Sequence, residues 1–486
     1  MILLAFVALV FAPPFVRASL WHPCGTDLLP TLECTNVSVP LDWKATAGNE
    51  TVSVHVARVP APAGSSPDAL VMLSGGPGYD ATSLYPLAAL LANRSTPALS
   101  LYLVDQRGTG RSTQLACNET DVTRCVARLS SSYLSAFSSY QAARDVLHIS
   151  STLVSEGRTS LYGWSYGTFL AHQVLLAERS LGATTTSFAH VILEGLCPPG
   201  TCDFATFDEH TSAAALDALA ACGVYSTTCQ RLLGPVPASL AASLFQSSNQ
   251  SACGFPDGLW YFRRLLGSIL VAGQSSLPLL GPLVLRLSRC SPSDVADLAY
   301  AVSGPTLSSA SSSSSSFNFF LHANVVANEL WHATEPLSSL NASQSTLVAS
   351  LGLTVNDGAA VLSWPPAQRY TPVFHPSDTI HDGFASSLFI QQGTLDGQTQ
   401  FGNALRFARA AWPTAHFSAV QFAPHQPSAS PASSPCALSN IQAVLSGHLP
   451  KTCLHEPVPD FDGALPSTLA AAKRLFGPNA TVWGSP

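Results

Sequence analysis

Charged side chains are scarce in this sequence. Only 10% of its 486 residues are Asp, Glu, Lys or Arg, and 22 Lys and Arg against 29 Asp and Glu give a formal net charge of −7. This balance leaves no basic surface for phosphate groups, so we expect no nucleic-acid partner. The chain is also 47% hydrophobic, which excludes a mostly disordered protein.

A long unbroken apolar run is missing beyond the N-terminus. Residues 265–285 carry no charge, but Gln274, Pro278 and Pro282 interrupt them. Polar groups and a broken backbone are costly in lipid, so we interpret this stretch as helices of a lid. Residues 477–486 are too polar for the hydrophobic tail of a lipid-anchor signal. We therefore expect no stable membrane anchor.

The N-terminus is typical of a secretory signal peptide over residues 1–18. Residues 2–16 are apolar, and Val16-Arg17-Ala18 offers a small-residue cleavage site. Glycans are expected to supply the solubility that charge does not. The seven Asn-x-Ser/Thr acceptor sites are Asn36, Asn49, Asn93, Asn118, Asn249, Asn341 and Asn479. The expected location is outside the cell or in the lumen of the secretory or lysosomal-vacuolar pathway.

The sequence has twelve cysteines but no Cys-x-x-Cys ligand spacing, so paired cysteines are favoured over a metal site. We expect six disulfides, with their connectivity left open. Proximity in the chain favours Cys24/Cys34, Cys117/Cys125, Cys222/Cys229 and Cys436/Cys453. Cys197/Cys202 and Cys253/Cys290 are the pairs that remain.

Strand-like and helix-like segments alternate in the first part of the chain. Residues 52–59 alternate between apolar and polar, and three apolar runs at 69–73, 98–104 and 159–162 each lead into a Gly-rich turn. Helical spacing separates the last two runs at 140–154. This alternation predicts an α/β fold with a mostly parallel sheet flanked by helices.

The predicted core is interrupted by a long helical insertion. Its first part is 19–199, and its second part is 384–486, where strand-like runs return at 387–391 and 417–422. Between them, 200–383 is interpreted as an inserted, mainly helical lid domain. Within the lid, the serine run 308–316 is interpreted as a flexible loop.

The motif Gly163-Trp164-Ser165-Tyr166-Gly167 lies between a predicted strand and a predicted helix. A sharp turn in this setting exposes a serine hydroxyl above the sheet, which makes Ser165 the candidate nucleophile. The alternative is a structural turn without chemistry. A serine hydroxyl is a weak nucleophile, so the hypothesis requires a histidine base and an acid that orients it.

Asp396 and His425 follow two consecutive predicted strands after the insertion. Their order after Ser165 is the one that this type of elbow uses, so we assign Asp396 as the acid and His425 as the base. The alternatives are a simple turn role for Asp396 and a surface position for His425. The rival bases are His448 and His455, while His416 begins its strand and so points to the wrong end of the sheet.

Backbone N–H groups must stabilise the oxyanion that forms during acyl transfer. In this arrangement they come from the residue after the nucleophile and from a Gly-rich loop after an earlier strand. Tyr166 and Gly76, in Gly75-Gly76-Pro77-Gly78, fit these two places. The alternative for the Gly-rich segment is a tight turn without a role.

These motifs together resemble the prolyl iminopeptidase and tripeptidyl aminopeptidase branch of the α/β-hydrolases. The resemblance rests on 75–78, 105–112, 163–168 and 393–396, taken in this order, and it covers both core segments. Cys24, the run 39–43, and the Cys436 and Cys453 pair are similar to the secreted tripeptidyl aminopeptidase subgroup. The resemblance implies a serine peptidase that cleaves short peptides from a free N-terminus beneath a helical lid.

The chain departs from this family beside the base. The histidine usually follows a glycine, whereas Pro424 precedes His425 here, and the insertion 426–435 comes next, which predicts a reshaped loop. We expect no metal or organic cofactor. The alternative functions are an esterase or lipase with the same triad and a non-catalytic binding protein on this fold.

Glu194 directly follows the apolar run 189–193, and two roles are possible for it. One is a brace that pairs with Arg107 or Arg111 in the loop 105–112. The other is a partner for the substrate ammonium, because ligands of open α/β sheets bind at this edge. Asp203, Asp208 and Glu209 of the lid are the alternative ammonium partners.

Overall fold

One mixed sheet runs through the computed structural model, which describes residues 20–45, 50–65, 67–93, 98–116, 122–246, 252–303, 317–375, 377–429 and 435–484. The strands within these residues are β1 His22–Pro23, β2 Glu33–Pro40, β3 Thr51–Val59, β4 Asp68–Leu73, β5 Leu99–Val104, β6 Thr159–Trp164, β7 Val191–Glu194, β8 Leu388–Gly393 and β9 His416–Val420. Their order across the sheet is β1-β2-β3-β5-β4-β6-β7-β8-β9.

The sheet changes from antiparallel to parallel at β5. Strands β1, β2, β3 and β5 pair antiparallel, and every later pairing, from β4 with β5 to β8 with β9, is parallel. Because parallel strands share a carboxyl edge, the turns after β4, β6, β8 and β9 meet on one side of the molecule. The predicted α/β class with a mainly parallel sheet is confirmed.

Helices cover both faces of this sheet and form the lid between β7 and β8. They are α1 Tyr85–Ala92, α2 Val122–Val126, α3 Ser131–Ser135, α4 Ser139–Thr152, α5 Tyr166–Ser180, α6 Phe207–Tyr225, α7 Thr227–Leu233, α8 Pro237–Phe245, α9 Gly258–Val271, α10 Leu280–Arg289, α11 Pro292–Ser303, α12 Phe319–Glu329, α13 Leu337–Gln344, α14 Leu353–Leu362, α15 Phe401–Ala411, α16 Pro435–Leu445 and α17 Pro466–Phe476. No helix among the described residues is long and apolar enough to cross a bilayer.

Alternate side chains of the central strands feed two separate apolar cores. Val71 of β4 packs on one face with residues of α4 and α5, and Leu70 and Met72 pack on the other face with residues of α1 and α16. The period of two in a strand places successive side chains on opposite faces, so both faces of β4 are buried. This explains why β4 to β6 appear in the sequence as continuous apolar runs.

The lid has an apolar core of its own, which includes residues of α6 to α10. Residues 265–271 and 277–285 are helical within it, as expected, and a turn joins the two parts. Helix α17 also belongs to this core, because Leu475 and Phe476 are buried with the lid residues and α17 packs on α11. The end of 384–486, which the sequence predicts as the second part of the α/β core, therefore packs against the lid helices.

Five disulfides lie within the described residues, and all five are among the expected pairs. They are Cys24–Cys34, Cys197–Cys202, Cys222–Cys229, Cys253–Cys290 and Cys436–Cys453. Cys117 lies outside the described residues, so its bridge to Cys125 stays a prediction.

Four of the glycan acceptors are described, and all of them are exposed: Asn36, Asn93, Asn341 and Asn479. Asn49, Asn118 and Asn249, the predicted signal peptide 1–18 and the serine run 308–316 lie outside the described residues. Glycosylation and secretion stay predictions.

Candidate active site

Ser165 lies on a strained turn between β6 and α5. Its backbone has φ 56° and ψ −129°, a left-handed region that residues with a side chain rarely occupy. Its amide donates to the carbonyl of Glu194 at 2.9 Å, and the Thr168 hydroxyl donates to the carbonyl of Ser165 at 2.7 Å. These bonds hold the serine half-buried at the carboxyl edge of the sheet.

The glycines of the elbow are required by close backbone approach. A Cβ on Gly163 would lie 2.3 Å from the carbonyl oxygen of Gly167, and a Cβ on Gly167 would lie 2.3 Å from that of Leu73. Neither position has room for a side chain. The two glycines therefore let α5 start directly over the strands, which is the local reason for the motif around Ser165.

Asp396 and His425 form a buried pair. His425 Nδ1 lies 2.9 and 3.0 Å from the two carboxylate oxygens of Asp396, and both side chains are almost completely buried. Asp396 also accepts bonds from the amides of Gln398 and Thr399, the Thr399 hydroxyl and the side-chain amide of Gln392. These donors stabilise an ionised Asp396 in the orientation that fixes the imidazole.

The loops that carry the two residues are bonded to each other. The Leu395 amide donates to the Ala423 carbonyl at 3.0 Å, and the Phe422 amide donates to the Thr394 hydroxyl at 2.9 Å. The predicted pairing of Asp396 and His425 is therefore set by backbone contacts between consecutive strand ends. His416, His448 and His455 are exposed, away from this pair.

The second imidazole nitrogen of His425 is available for chemistry. His425 Nε2 is buried and has no hydrogen-bond partner in the part of the chain that the structure describes. The ring lies 5.6 Å from that of Trp164, the residue before Ser165, and against Gly195, where a Cβ would be 3.0 Å from Cε1 of the ring. The base thus lies beside the nucleophile elbow, with the Ser165 hydroxyl not yet bonded to it.

The two predicted oxyanion donors belong to segments that face each other. A Cβ on Gly75, the residue before Gly76, would lie 2.9 Å from Cβ of Ser165, so the Gly-rich loop passes directly beside the nucleophile. Tyr166 begins α5, and neither its N–H nor that of Gly76 donates a bond within the described residues. Both donors are therefore free for an oxygen of the substrate.

Glu194 does not form the predicted brace with Arg107 or Arg111 within the described residues. It is completely buried and accepts bonds from the Tyr162 hydroxyl at 2.6 Å, the Ser428 amide at 2.8 Å, the Ser428 hydroxyl at 2.5 Å and the Gln391 side chain at 3.1 Å. Its role as a partner for a substrate ammonium stays a prediction. Burial raises the pKa of Glu194, and the carboxylate fastens the segment after His425 to the sheet.

Arg107 forms its ion pair with Asp145 and not with Glu194. It is buried with Asp145 at 2.6 Å and also donates to the carbonyls of Pro40, Leu41 and Ala136. Trp43 donates to the same Asp145 at 2.7 Å. The 105–112 loop is therefore held by a buried network in which Asp145 is the acid.

Asp105 holds that loop in a second way. It accepts the amides of Ala81 and Arg111 at 2.8 and 2.9 Å. Burial raises the pKa of Asp105 to about 6, despite these bonds. Arg111 thus contributes to this contact through its backbone amide.

The lid covers the acid side of the site. The Thr211 hydroxyl of α6 donates to the carbonyl of Gly397 at 2.7 Å, and Leu270 of α9 packs against the same glycine. Gly397 directly follows Asp396. At the start of α6, the Phe204 ring lies 5.2 Å from that of His322, which bonds to the Gly-rich loop. The first lid helix therefore extends between the acid and the oxyanion donors.

Sequence reasoning missed several residues that hold this site. Thr399 and Gln392 support Asp396, Ser428 links the His425 segment to Glu194, and His322 of the lid contacts the Gly-rich loop. Only Thr399 had a local signal, since a polar residue shortly after a turn aspartate often bonds to it. The others meet their partners through contacts that are distant in sequence.

The strand order from β2 to β9, the serine elbow after β6 and the Asp–His pair after β8 and β9 define the α/β-hydrolase fold. No family model and no curated protein matches the sequence.

Solved structures that the chain is similar to include a serine hydrolase from Cycloclasticus zankles, with 11% identity, 85% of this chain and 98% of that chain covered, and a TM-score of 0.37. An esterase from Exiguobacterium antarcticum is 13% identical, and the match covers 77% of this chain and 89% of the esterase, with a TM-score of 0.31. A 2-hydroxy-6-oxo-6-phenylhexa-2,4-dienoate hydrolase from Rhodococcus is 12% identical, and the match covers 85% of this chain and 98% of that hydrolase, with a TM-score of 0.34.

Proposed function

We propose that this protein is a serine hydrolase that releases short peptides from a free N-terminus. The observation that carries the hydrolase assignment is the buried contact of His425 with Asp396 beside a strained Ser165 elbow. A structural turn has no need of a buried histidine whose second nitrogen is left without a partner, because such a group costs free energy unless it is used.

The reaction would proceed through an acyl-enzyme. His425 Nε2 takes the proton of Ser165 Oγ as the oxygen attacks the substrate carbonyl, and the N–H groups of Gly76 and Tyr166 stabilise the oxyanion. The imidazolium then gives that proton to the leaving amine as the C–N bond breaks. A water molecule, deprotonated by His425, attacks the ester and restores Ser165. Asp396 stays ionised and holds the ring.

The acidic start of α6 supports the preference for a free N-terminus. Asp203 directly precedes Phe204, whose ring contacts His322. Glu209 lies in the first turn of α6, and the same helix reaches Gly397 through Thr211. Burial and the neighbouring Asp203 raise the pKa of Glu209, which is consistent with two carboxylates close to each other. A substrate ammonium would neutralise such a pair. Asp208 is excluded from this role, because it is buried and accepts three backbone amides.

Secretion is proposed together with this activity. The five disulfides of the described residues, with no free cysteine among them, support folding in an oxidising compartment. Recovery of the native chain from culture medium, with glycans on the exposed acceptor sites, would test this. A chain that stays in the cytosol with reduced cysteines would contradict it.

The nucleophile is tested with a fluorophosphonate probe on the wild type and on Ser165→Ala. The wild type should be labelled and should hydrolyse a peptide anilide, and the variant should do neither while it folds normally, because Ser165 lies on a turn outside the apolar cores. Ser160→Ala, in the middle of β6, is the control and should keep the label. Turnover by Ser165→Ala would remove the proposed function.

The substrate class is tested by comparing a free peptide anilide with its acetylated form and with an uncharged ester. An aminopeptidase should lose most of its kcat/KM on acetylation, and Glu209→Gln should reduce this discrimination. Asp217→Asn, an exposed carboxylate on the same helix, is the matched control. Equal rates on all three substrates would replace the peptidase with an esterase that uses the same triad.

A further inference from the structure

The Gly-rich loop beside Ser165 is fastened to the lid at the start of α12. The Asn318 amide donates to the carbonyl of Gly78 at 2.9 Å, and Tyr79 forms a β-bridge with Phe317, with the two rings 4.8 Å apart. The side chain of Asn318 also donates to the carbonyl of Gly108 at 2.8 Å. The loop that contains Gly76 is thus held by the lid as well as by the sheet.

His322, one turn into α12, makes the deepest of these contacts. Its Nδ1 lies 3.0 Å from the carbonyl oxygen of Pro77, and its Nε2 lies 3.1 Å from Oδ1 of Asp357 in α14. The two residues are 5% and 3% exposed. A carbonyl and a carboxylate accept hydrogen bonds and donate none. The bond to the Pro77 carbonyl therefore requires that Nδ1 carries a proton, because a carbonyl oxygen only accepts.

Asp357 is the acidic residue in contact with the His322 ring. The other neighbours of the ring are aromatic, with Phe204, Phe317 and Phe319 at centroid distances of 5.2, 5.3 and 6.1 Å. Asp357 is the titratable group that the described contacts place against His322. Its second oxygen is buried and has no hydrogen-bond partner within the described residues. His322 is thus the hydrogen-bond partner of Asp357 among the described residues.

We propose that His322 is a positioning residue for the oxyanion hole, which it couples to the closed position of the lid. Its Nδ1–H fixes the Pro77 carbonyl. Pro77 is joined to Gly76 by a short, ring-constrained link, so the same bond fixes the direction of the Gly76 N–H. The inference rests on the proposed serine mechanism. Loss of the lid contact would leave Ser165, His425 and Asp396 in place but misdirect one oxyanion donor.

This arrangement predicts an effect on kcat more than on KM. The oxyanion exists in the transition state and not in the bound substrate, so a misdirected donor weakens only the former. Loss of a complete oxyanion donor lowers kcat by about 10²- to 10³-fold in serine hydrolases. A donor that is displaced but not removed should cost less, by about 10- to 100-fold.

The first test is His322→Phe, which keeps a ring among the three phenylalanines and removes both hydrogen bonds. The expected result is a kcat lower by about 10- to 100-fold with KM changed by less than about threefold. His172→Phe is the matched control, since His172 is equally buried, stacks on Trp412 and lies outside the Gly-rich loop. It should leave both constants unchanged. An unchanged kcat in a folded His322→Phe variant would overturn the proposal.

The second test is Asp357→Asn, which keeps the shape and removes the charge. The new amide can donate to Nε2 of a neutral ring, so Nδ1–H still bonds to Pro77 and kcat should stay within about threefold of the wild type at neutral pH. A kcat lower by more than about tenfold in a folded Asp357→Asn variant would overturn the proposal even if His322→Phe does not fold.

Ser165→Ala in the same assays separates the two hypotheses. If Ser165→Ala abolishes turnover and the His322 and Asp357 variants behave as the wild type, the positioning role fails and the serine mechanism stands. If Ser165→Ala retains turnover, the proposed function itself fails.

Discussion

Replacement of Glu194 tests whether its buried carboxylate holds the catalytic histidine or contacts substrate. Glu194 accepts four bonds, two of them from Ser428, which lies three residues after His425. Glu194→Leu removes every acceptor at similar volume. The Ser428 amide and the Gln391 side chain have no other described acceptor, and each buried donor left unpaired costs about 2 kcal/mol. We expect unfolding in urea to show a loss of about 4 kcal/mol.

Glu194→Gln should be much milder. Its amide can donate to the hydroxyls of Tyr162 and Ser428, which can turn to accept, while its oxygen keeps the other two bonds. The expected cost is about 1 kcal/mol. The order of the two variants, with Leu far below Gln, is therefore a direct consequence of the observed bonds.

Kinetics on the two variants give the decisive comparison. A histidine loop that loses its tether should lower kcat/KM by the same factor for a free-N-terminus peptide anilide and for an uncharged ester, because both reactions use His425. A rise of KM confined to the free peptide would show that Glu194 meets the substrate ammonium. That result, or a Leu variant as stable as the wild type, would refute the reasoning.

Three further results are expected. His425→Ala should abolish turnover while His448→Ala leaves it unchanged, and the reverse in a peptide anilide assay would show that the wrong base is assigned. Burial lowers the pKa of His172 to about 3. Below about pH 6.5 the unfolded chain therefore takes up a proton at this residue that the folded chain does not. As pH falls from 6.5 to 4, the wild type should lose about 3 kcal/mol of unfolding free energy that His172→Phe retains. Replacing both Cys436 and Cys453 by serine opens a crosslink with a sequence separation of 17 residues and should lower stability by about 3 kcal/mol in calorimetry, and an unchanged melting temperature would contradict this.

The sequence predicted the parts of the fold that depend on local pattern. Strands β4, β5 and β6 are buried on both faces and end in Gly-rich turns, so their apolar runs were visible without the structure. Asp396 and His425 could be paired because each follows a strand, and parallel neighbours bring their carboxyl ends together. Strand β2 was not predicted, because its contacts are with β1 and β3 and its sequence carries no clear alternation.

Long-range contacts explain the rest. Glu194 meets Ser428 across 234 positions of the chain, and no spacing rule connects a strand-end carboxylate with a serine in a later loop. His322 is similar, since its partners Pro77 and Asp357 come from two separate segments. A partner of opposite charge was expected for Glu194, whereas neutral donors hold it, so the error lay in assuming that a buried acid requires an arginine.

The position of α17 limits how the lid can move. The chain enters the lid after β7, leaves it to form β8 and β9, and returns to it with Pro466–Phe476. The chain therefore passes between the sheet and the lid three times. A rigid rotation of the whole lid about one hinge would have to change all three connections at once or separate α17 from the lid core. Local displacement of individual lid helices requires fewer such changes than movement of the whole lid. An isolated fragment of residues 200–383 would also lack part of its own core, so a lid transplanted onto another hydrolase has to include this C-terminal helix.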